Sequence, residues 1–200
     1  MKSLIFLFLT TLFSSAKPTV VIDAGHGGRD SGGAYGKVYE KHLALDTSIR
    51  LEHMLKKRGY KTVMTRKSDV FLSLGQRVSI SHKYENSIFV SIHYNFSSNR
   101  RASGVETFYF SKKSKTLSNL VQKGMLAQEP KCKNRGSKYA RYYVIHRNQN
   151  PSILVECGFV SNRIERDKMK SANFRHNLAL GIANGIEKYN KNKTNERLSN

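Results

Sequence analysis

The sequence predicts a single α/β domain with a largely parallel, mixed central sheet of about six strands flanked by helices. Three observations predict it. Segments 19–23, 60–65, 88–93, 104–110, 142–146 and 152–157 are mostly rich in Val, Ile, Phe or Tyr, as strands are. Stretches near 40–58, 72–85, 114–128 and 171–189 carry helical periodicity between them. The chain has 200 residues, enough for one ordinary core, and shows neither an internal repeat nor a second domain.

Residues 1–16 stand apart from that domain. Met1-Lys2-Ser3 gives a basic start, Leu4–Phe13 is an apolar run, and Ser14-Ser15-Ala16 supplies small residues for cleavage after Ala16. The pattern reads as a signal peptide and implies export, with the periplasm as destination. An uncleaved anchor is the alternative, although the run is short of the roughly 20 residues a bilayer requires. The domain then covers 17–189. In 40–58, Ala44, Ser48, Leu51 and Leu55 form one stripe, and Lys56, Lys57 and Arg58 load the last turn before Gly59, a natural stop. The Lys-rich stretch 111–141, with Pro130 and Gly136, reads as a loop or lid over one edge. Residues 190–200 lack core formers and read as a disordered tail.

Thirty-five Lys and Arg against 14 Asp and Glu give a net charge of +21. That favours an anionic envelope surface or polymer as partner, and export argues against nucleic acid. A merely solubilising surface stays open as the alternative. The two cysteines, Cys132 and Cys157, allow one disulfide but make no disulfide framework, and the absence of a C-x-x-C pair leaves a thiolate zinc site unsupported.

The chemistry lies at strand ends. Thr19–Asp23 runs into Ala24-Gly25-His26-Gly27-Gly28, Ile88–Ile92 ends at His93, and Ile153–Val155 ends at Glu156; Glu40 opens a helix just after the first turn. Sites in open α/β sheets form at the carboxyl ends of strands, so these four residues can converge. Two His and one Glu make a common catalytic zinc set, leaving the fourth residue free to move protons. Taken singly, each has an ordinary structural reading: a turn or core His, a helix-start acid. Glu156 tips the balance, because a carboxylate after an apolar run is costly without a partner or a function. Asp23 is a candidate to orient a ligand imidazole, or a plain strand-end acid. His146 and Arg147 near the active edge, and Asn95 after His93, are substrate candidates. Other motifs are missing: no G-x-x-x-x-G-K-[ST] or G-x-G-x-x-G spacing, no H-E-x-x-H and no G-x-S-x-G, while the sole S-x-x-K falls at the cleavage site.

Blocks 21–28, Glu40 with Gly59 and Thr65-Arg66, Leu72-Ser73-Leu74 with Arg77, 89–95, 104–107 and 151–162 occur in an order that resembles the zinc-dependent N-acetylmuramoyl-L-alanine amidases, cell-separation type with the amidase-3 domain. The resemblance spans 19–189. It implies hydrolysis of the amide between the lactyl group of N-acetylmuramic acid and L-alanine of the stem peptide, in cell-wall remodelling and daughter-cell separation. It also implies one Zn2+ per chain on His26, Glu40 and His93, with Glu156 as general acid/base. The implied partners are peptidoglycan or its muropeptide precursors and a possible protein activator, with no nucleic acid, and the chain is expected to be a monomer. Ala24 departs from the family's usual proline. Some members carry a self-blocking helix; no acidic insert of that kind is evident in 111–141, although 114–128 can be read as a short one. A wall-binding module without catalysis and a zinc peptidase cutting within the stem peptide are the alternatives.

Overall fold

The computed structural model describes residues 17–199, so the signal peptide expected at 1–16 lies outside the described residues. The chain runs β1 (Thr19–Ala24), β2 (Ala34–Tyr35), β3 (Val38–Tyr39), α1 (Glu40–Lys57), β4 (Thr62–Met64), α2 (Leu74–His82) and β5 (Ser87–Asn95). It continues with β6 (Val105–Tyr109), α3 (Lys112–Gln128), β7 (Asn134–Tyr139), α4 (Tyr143–His146), β8 (Ser152–Phe159), α5 (Arg163–Lys170) and α6 (Ala172–Leu198). Six strands form one sheet in the order β4-β1-β5-β8-β6-β7, and β2 and β3 form a small ribbon. All neighbours in the large sheet are parallel except β6 and β8. The mixed, largely parallel α/β sheet agrees with the reading of the sequence.

The three central strands are buried on both faces, which is why they read as continuous apolar runs. Their side chains alternate between two cores. Val20, Ile22, Ile88, Val90, Ile92, Ile153 and Val155 pack with α1, α3 and α6. Val21, Phe89 and Leu154 point the other way, toward Val78 of α2 and Val144 and Ile145 of α4.

Three features differ from expectation. Within 142–146, expected as a strand, Tyr143–His146 form helix α4, and its Val and Ile cap the smaller core. The stretch 111–141 is ordered, holding α3 and the edge strand β7. β7 is polar, Asn-Arg-Gly-Ser-Lys-Tyr, because an edge strand pairs on one side only and has no need of apolar residues on both faces. Residues 190–198 continue α6 instead of forming a disordered tail, and ion pairs at helical spacing, Lys191 with Glu187 and Lys193 with Glu196, lie along it. Both cysteines are free; Cys157 is core filling, and burial pushes the Cys132 thiol up to about 11. Among the described residues no helix is long and apolar enough to cross a membrane.

Candidate metal centre

The turn after β1 is clamped from beneath by two guanidinium groups. Arg66 donates from Nε to the carbonyl of Ala24 (2.9 Å) and from Nη2 to that of Gly25 (2.7 Å). Arg77 donates to Ala24 (2.6 Å) and His26 (2.6 Å). His26 is thereby held at φ 58°, the sole non-glycine in the left-handed region among the described residues. Such a conformation costs about 1–3 kcal/mol and persists where the surroundings over-determine it. Glycines give the imidazoles room. A Cβ on Gly25 would lie 2.4 Å from the His93 ring, and one on Gly32 would lie 2.5 Å from His26 and 2.6 Å from Glu40.

Asp23 serves this clamp and not an imidazole, which corrects the orienting role considered for it. Its carboxylate accepts from Thr65 Oγ1 (2.7 Å), Ser91 Oγ (2.7 Å) and Arg77 Nη1 (2.8 Å). Both Asp23 and Arg77 are buried. Arg77→Ala strands a buried carboxylate and should cost about 3–5 kcal/mol in chemical denaturation. A loss below about 1 kcal/mol would contradict the clamp.

The carboxylate that does orient His26 is Asp30, four residues on and absent from the sequence reading. His26 Nδ1 donates to Asp30 Oδ2 at 2.8 Å, and Asp30 Oδ1 accepts from the amide of Gly32. Its signal was the i,i+4 placement across a two-glycine turn. Glu40, at the first position of α1, is buried and accepts from the amides of Gly33 (2.7 Å) and Tyr94 (3.0 Å). Its Oε1 also lies 3.1 Å from His26 Nε2 and 2.9 Å from His93 Nδ1, and the two rings meet edge-on with centroids 4.9 Å apart.

Sheet register brings up Glu156. His93 on β5 pairs with Glu156 on β8, and Glu156 pairs with Glu106 on β6, so the three side chains form one row across the sheet. Glu156 Oε2 is buried and has no hydrogen-bond partner. Burial, then the charges of Glu40 and Glu106, push its carboxyl well above the usual range. Glu106 itself is buried, held by Arg135 (3.1 Å) and Lys138 (2.5 Å), and accepts from Asn95 Nδ2 (2.9 Å). Burial alone would raise Glu40, but hydrogen bonds from both imidazoles outweigh it and hold it far below the ordinary carboxylate range. Burial alone would lower His26; Glu40 and Asp30 outweigh that and hold it above 6.5.

A cavity of about 360 Å³ opens here, lined by Asp23, His26, Glu40, His93, Asn95 and Glu156 and walled by Phe71, Leu74, Phe96, Tyr142 and Tyr143. His146 and Arg147 do not line it. His146 packs against the Phe110 ring (4.5 Å between centroids), and the Arg147 side chain lies over Tyr143. α4 turns both away, where a strand would have aimed one inward. No residue of α3 lines the cavity either, so 114–128 is a core helix against α6 and not a plug.

The donor set can be tested against a cation. With His26 Nδ1 donating to Asp30, Nε2 of the neutral ring is a lone pair facing a carboxylate oxygen. That contact is repulsive unless a proton or a metal ion lies between. One ligand atom each from His26, Glu40 and His93 lies within 4.8 Å of the others. Two imidazoles and a carboxylate with a position left open form a hydrolytic zinc set, and a carboxylate behind an imidazole, here Asp30, is its usual support. The residues fit zinc. Asp30→Asn should weaken zinc binding about 10- to 100-fold in a chelator competition; unchanged affinity would remove Asp30 from the centre.

Fold and site together define a hydrolase-type centre, with two imidazoles, a carboxylate and a free carboxyl gathered at the strand ends of an α/β sheet. Residues 20–188 match the Amidase_3 family, N-acetylmuramoyl-L-alanine amidase, and the chain belongs to that family. It is 37% identical to N-acetylmuramoyl-L-alanine amidase AmiC2 of Nostoc punctiforme, with a TM-score of 0.83 over 88% of this chain and 98% of that one. The CwlD amidase of Clostridioides difficile, solved in complex with the GerS lipoprotein, is 30% identical, with a TM-score of 0.83 over 86% and 98% of the two chains. Among curated relatives, N-acetylmuramoyl-L-alanine amidase LytC of Bacillus subtilis is 34% identical over 175 residues, which are 86% of this chain and 35% of LytC.

Proposed function

We propose that the protein is a zinc-dependent N-acetylmuramoyl-L-alanine amidase that cuts between the muramic acid lactyl group and L-alanine of the peptidoglycan stem peptide. One observation carries the reading: a His26–Glu40–His93 donor set beside a buried, unbonded Glu156 carboxyl at the floor of an open cavity. Zinc bound there supplies Lewis acidity toward a carbonyl oxygen, acidifies water, and offsets the negative charges that raise Glu156.

This chain's own residues do the rest. Glu156 takes a proton from the attacking water and returns it to the alanine nitrogen, without which the C–N bond does not break. Asp30 fixes the His26 tautomer. Asn95, its amide nitrogen held by Glu106, offers a polar group to the substrate, and the aromatic walls offer apolar area for the sugar and lactyl faces. Export to the periplasm, a role in remodelling and daughter-cell separation, and regulation by a protein activator complete the proposal; the lipoprotein complex of CwlD supports the last of these. Mass spectrometry of digested sacculi tests the bond. Free stem peptides beginning with L-alanine and peptide-free glycan are expected, whereas fragments cut within the stem peptide would overturn the assignment.

A further inference from the structure

We infer that the sheet edge opposite the metal centre is a docking face for an anionic phospholipid bilayer, which holds the cavity pointing away from that membrane. The metal centre lies at the carboxyl ends of β1, β5 and β8. The other ends, roughly 20–30 Å away along the strands, gather distant parts of the chain. Lys17 leads into β1 there and its Nζ donates to the carbonyl of Arg58. α1 finishes there, β4 starts there, and α2 ends just before β5. Because β6 runs antiparallel to β8, it returns the chain to this edge and α3 begins on it. The last turns of α6 cross beneath: Arg58 bonds Glu187 and Asn184, and Pro18, Asn86, Pro151, Asn190 and Lys193 line one shallow hollow.

The charge of this edge is lopsided. Residue 17 and segments 56–61, 83–86, 112–115 and 187–197 carry thirteen Lys and Arg against three Glu. Glu187 and Glu196 are already paired, with Arg58, Lys191 and Lys193. Lys57, Lys83, Lys112, Lys115 and Lys188 are exposed and form no ion pair among the described residues. Apart from Lys193 and Arg197, which border the hollow, the cations lie at or near the ends of several helices across a broad edge. Eleven of the thirteen are lysines, which suit diffuse attraction to headgroups better than the bidentate readout that favours arginine. A domain so docked presents its cavity to the wall and not to the lipid. That orientation rests on the amidase reading; lipid binding itself does not.

The test is vesicle flotation of the full chain and of a variant carrying Lys57→Glu, Lys83→Glu, Lys112→Glu, Lys115→Glu and Lys188→Glu. Vesicles are phosphatidylcholine with or without phosphatidylglycerol. The N-terminal run is common to both proteins, so their difference reads the basic edge. A control of equal charge reverses Arg101, Lys131, Lys133, Arg163 and Lys170 on the metal-centre side. Each lysine near an anionic surface is worth about five-fold, so the first variant should bind phosphatidylglycerol vesicles at least about a hundredfold less tightly. The control should retain most of its binding, and both should hydrolyse a small soluble muropeptide as the parent does. Equal losses in the two variants would reduce the effect to net charge and overturn the docking face. So would salt-insensitive binding to phosphatidylcholine alone, or loss of sacculus binding with vesicle binding unchanged. Failure of the muropeptide to be cut by any of the three proteins would strike the amidase reading and leave the flotation result standing.

Discussion

Glu156→Gln should leave zinc bound and reduce amide hydrolysis by about a thousandfold or more, within the range that proton transfer by a positioned side chain supplies. The replacement keeps the side chain's shape and removes its ability to accept and return a proton. It also lifts the repulsion that Glu156 exerts on Glu40 and Glu106, the two charges that, after burial itself, push its carboxyl upward. Because Glu156 Oε2 bonds nothing, no hydrogen bond is lost there. Activity should therefore collapse while the unfolding temperature holds or rises. That pairing separates a proton carrier from a structural acid, whose loss would destabilise the fold. Metal content and kcat/KM measured on one preparation decide it, and a variant with full zinc and full turnover would reject the role.

The second large effect is His93→Ala. Removing one of the two imidazoles around Glu40 Oε1 leaves a single nitrogen and a carboxylate to hold the ion. Zinc should be lost at ordinary concentrations, and activity with it. A ligand present at a thousandfold over its Kd stabilises a fold by about 4 kcal/mol. The parent should thus melt higher with zinc than with chelator, and the variant should melt alike in both. The same donors set a pH dependence. His26 in the metal-free protein titrates above 6.5, so a proton competes with zinc at and below that range. Zinc affinity should fall as pH drops from about 8 to about 6, with protons released on binding at the lower value.

Burial decides how much of the molecule is legible in its sequence. β1, β5 and β8 are covered on both faces, so their composition announces them, and each delivers one site residue at its carboxyl end. His26, His93 and Glu156 could be found by inspecting the residues just past each apolar run, and Glu40 by the helix start. β7 could not be found that way, since an edge strand whose side chains serve Glu106 carries no apolar signature. α4 misled because Tyr142–Ile145 has strand-like residues, yet their Val and Ile pack as one helical turn against the smaller core. The imidazole-orienting role considered for Asp23 belongs to Asp30, a residue to which the sequence had assigned no role. Partners 42 to 68 residues from Asp23 fix it in the clamp, and no local pattern reports them. Asp30 was within reach, four residues past His26, but a glycine turn hides the proximity that a helix would advertise.

The claim on which the rest depends is that one ion sits among His26, Glu40 and His93. Titration of chelator-treated protein with zinc, followed by calorimetry and by metal analysis of the dialysed product, tests it directly. The account predicts one ion per chain, abolished by His93→Ala and preserved by Glu156→Gln. Protein that takes up no zinc, or takes it up equally well after His93→Ala, would contradict it.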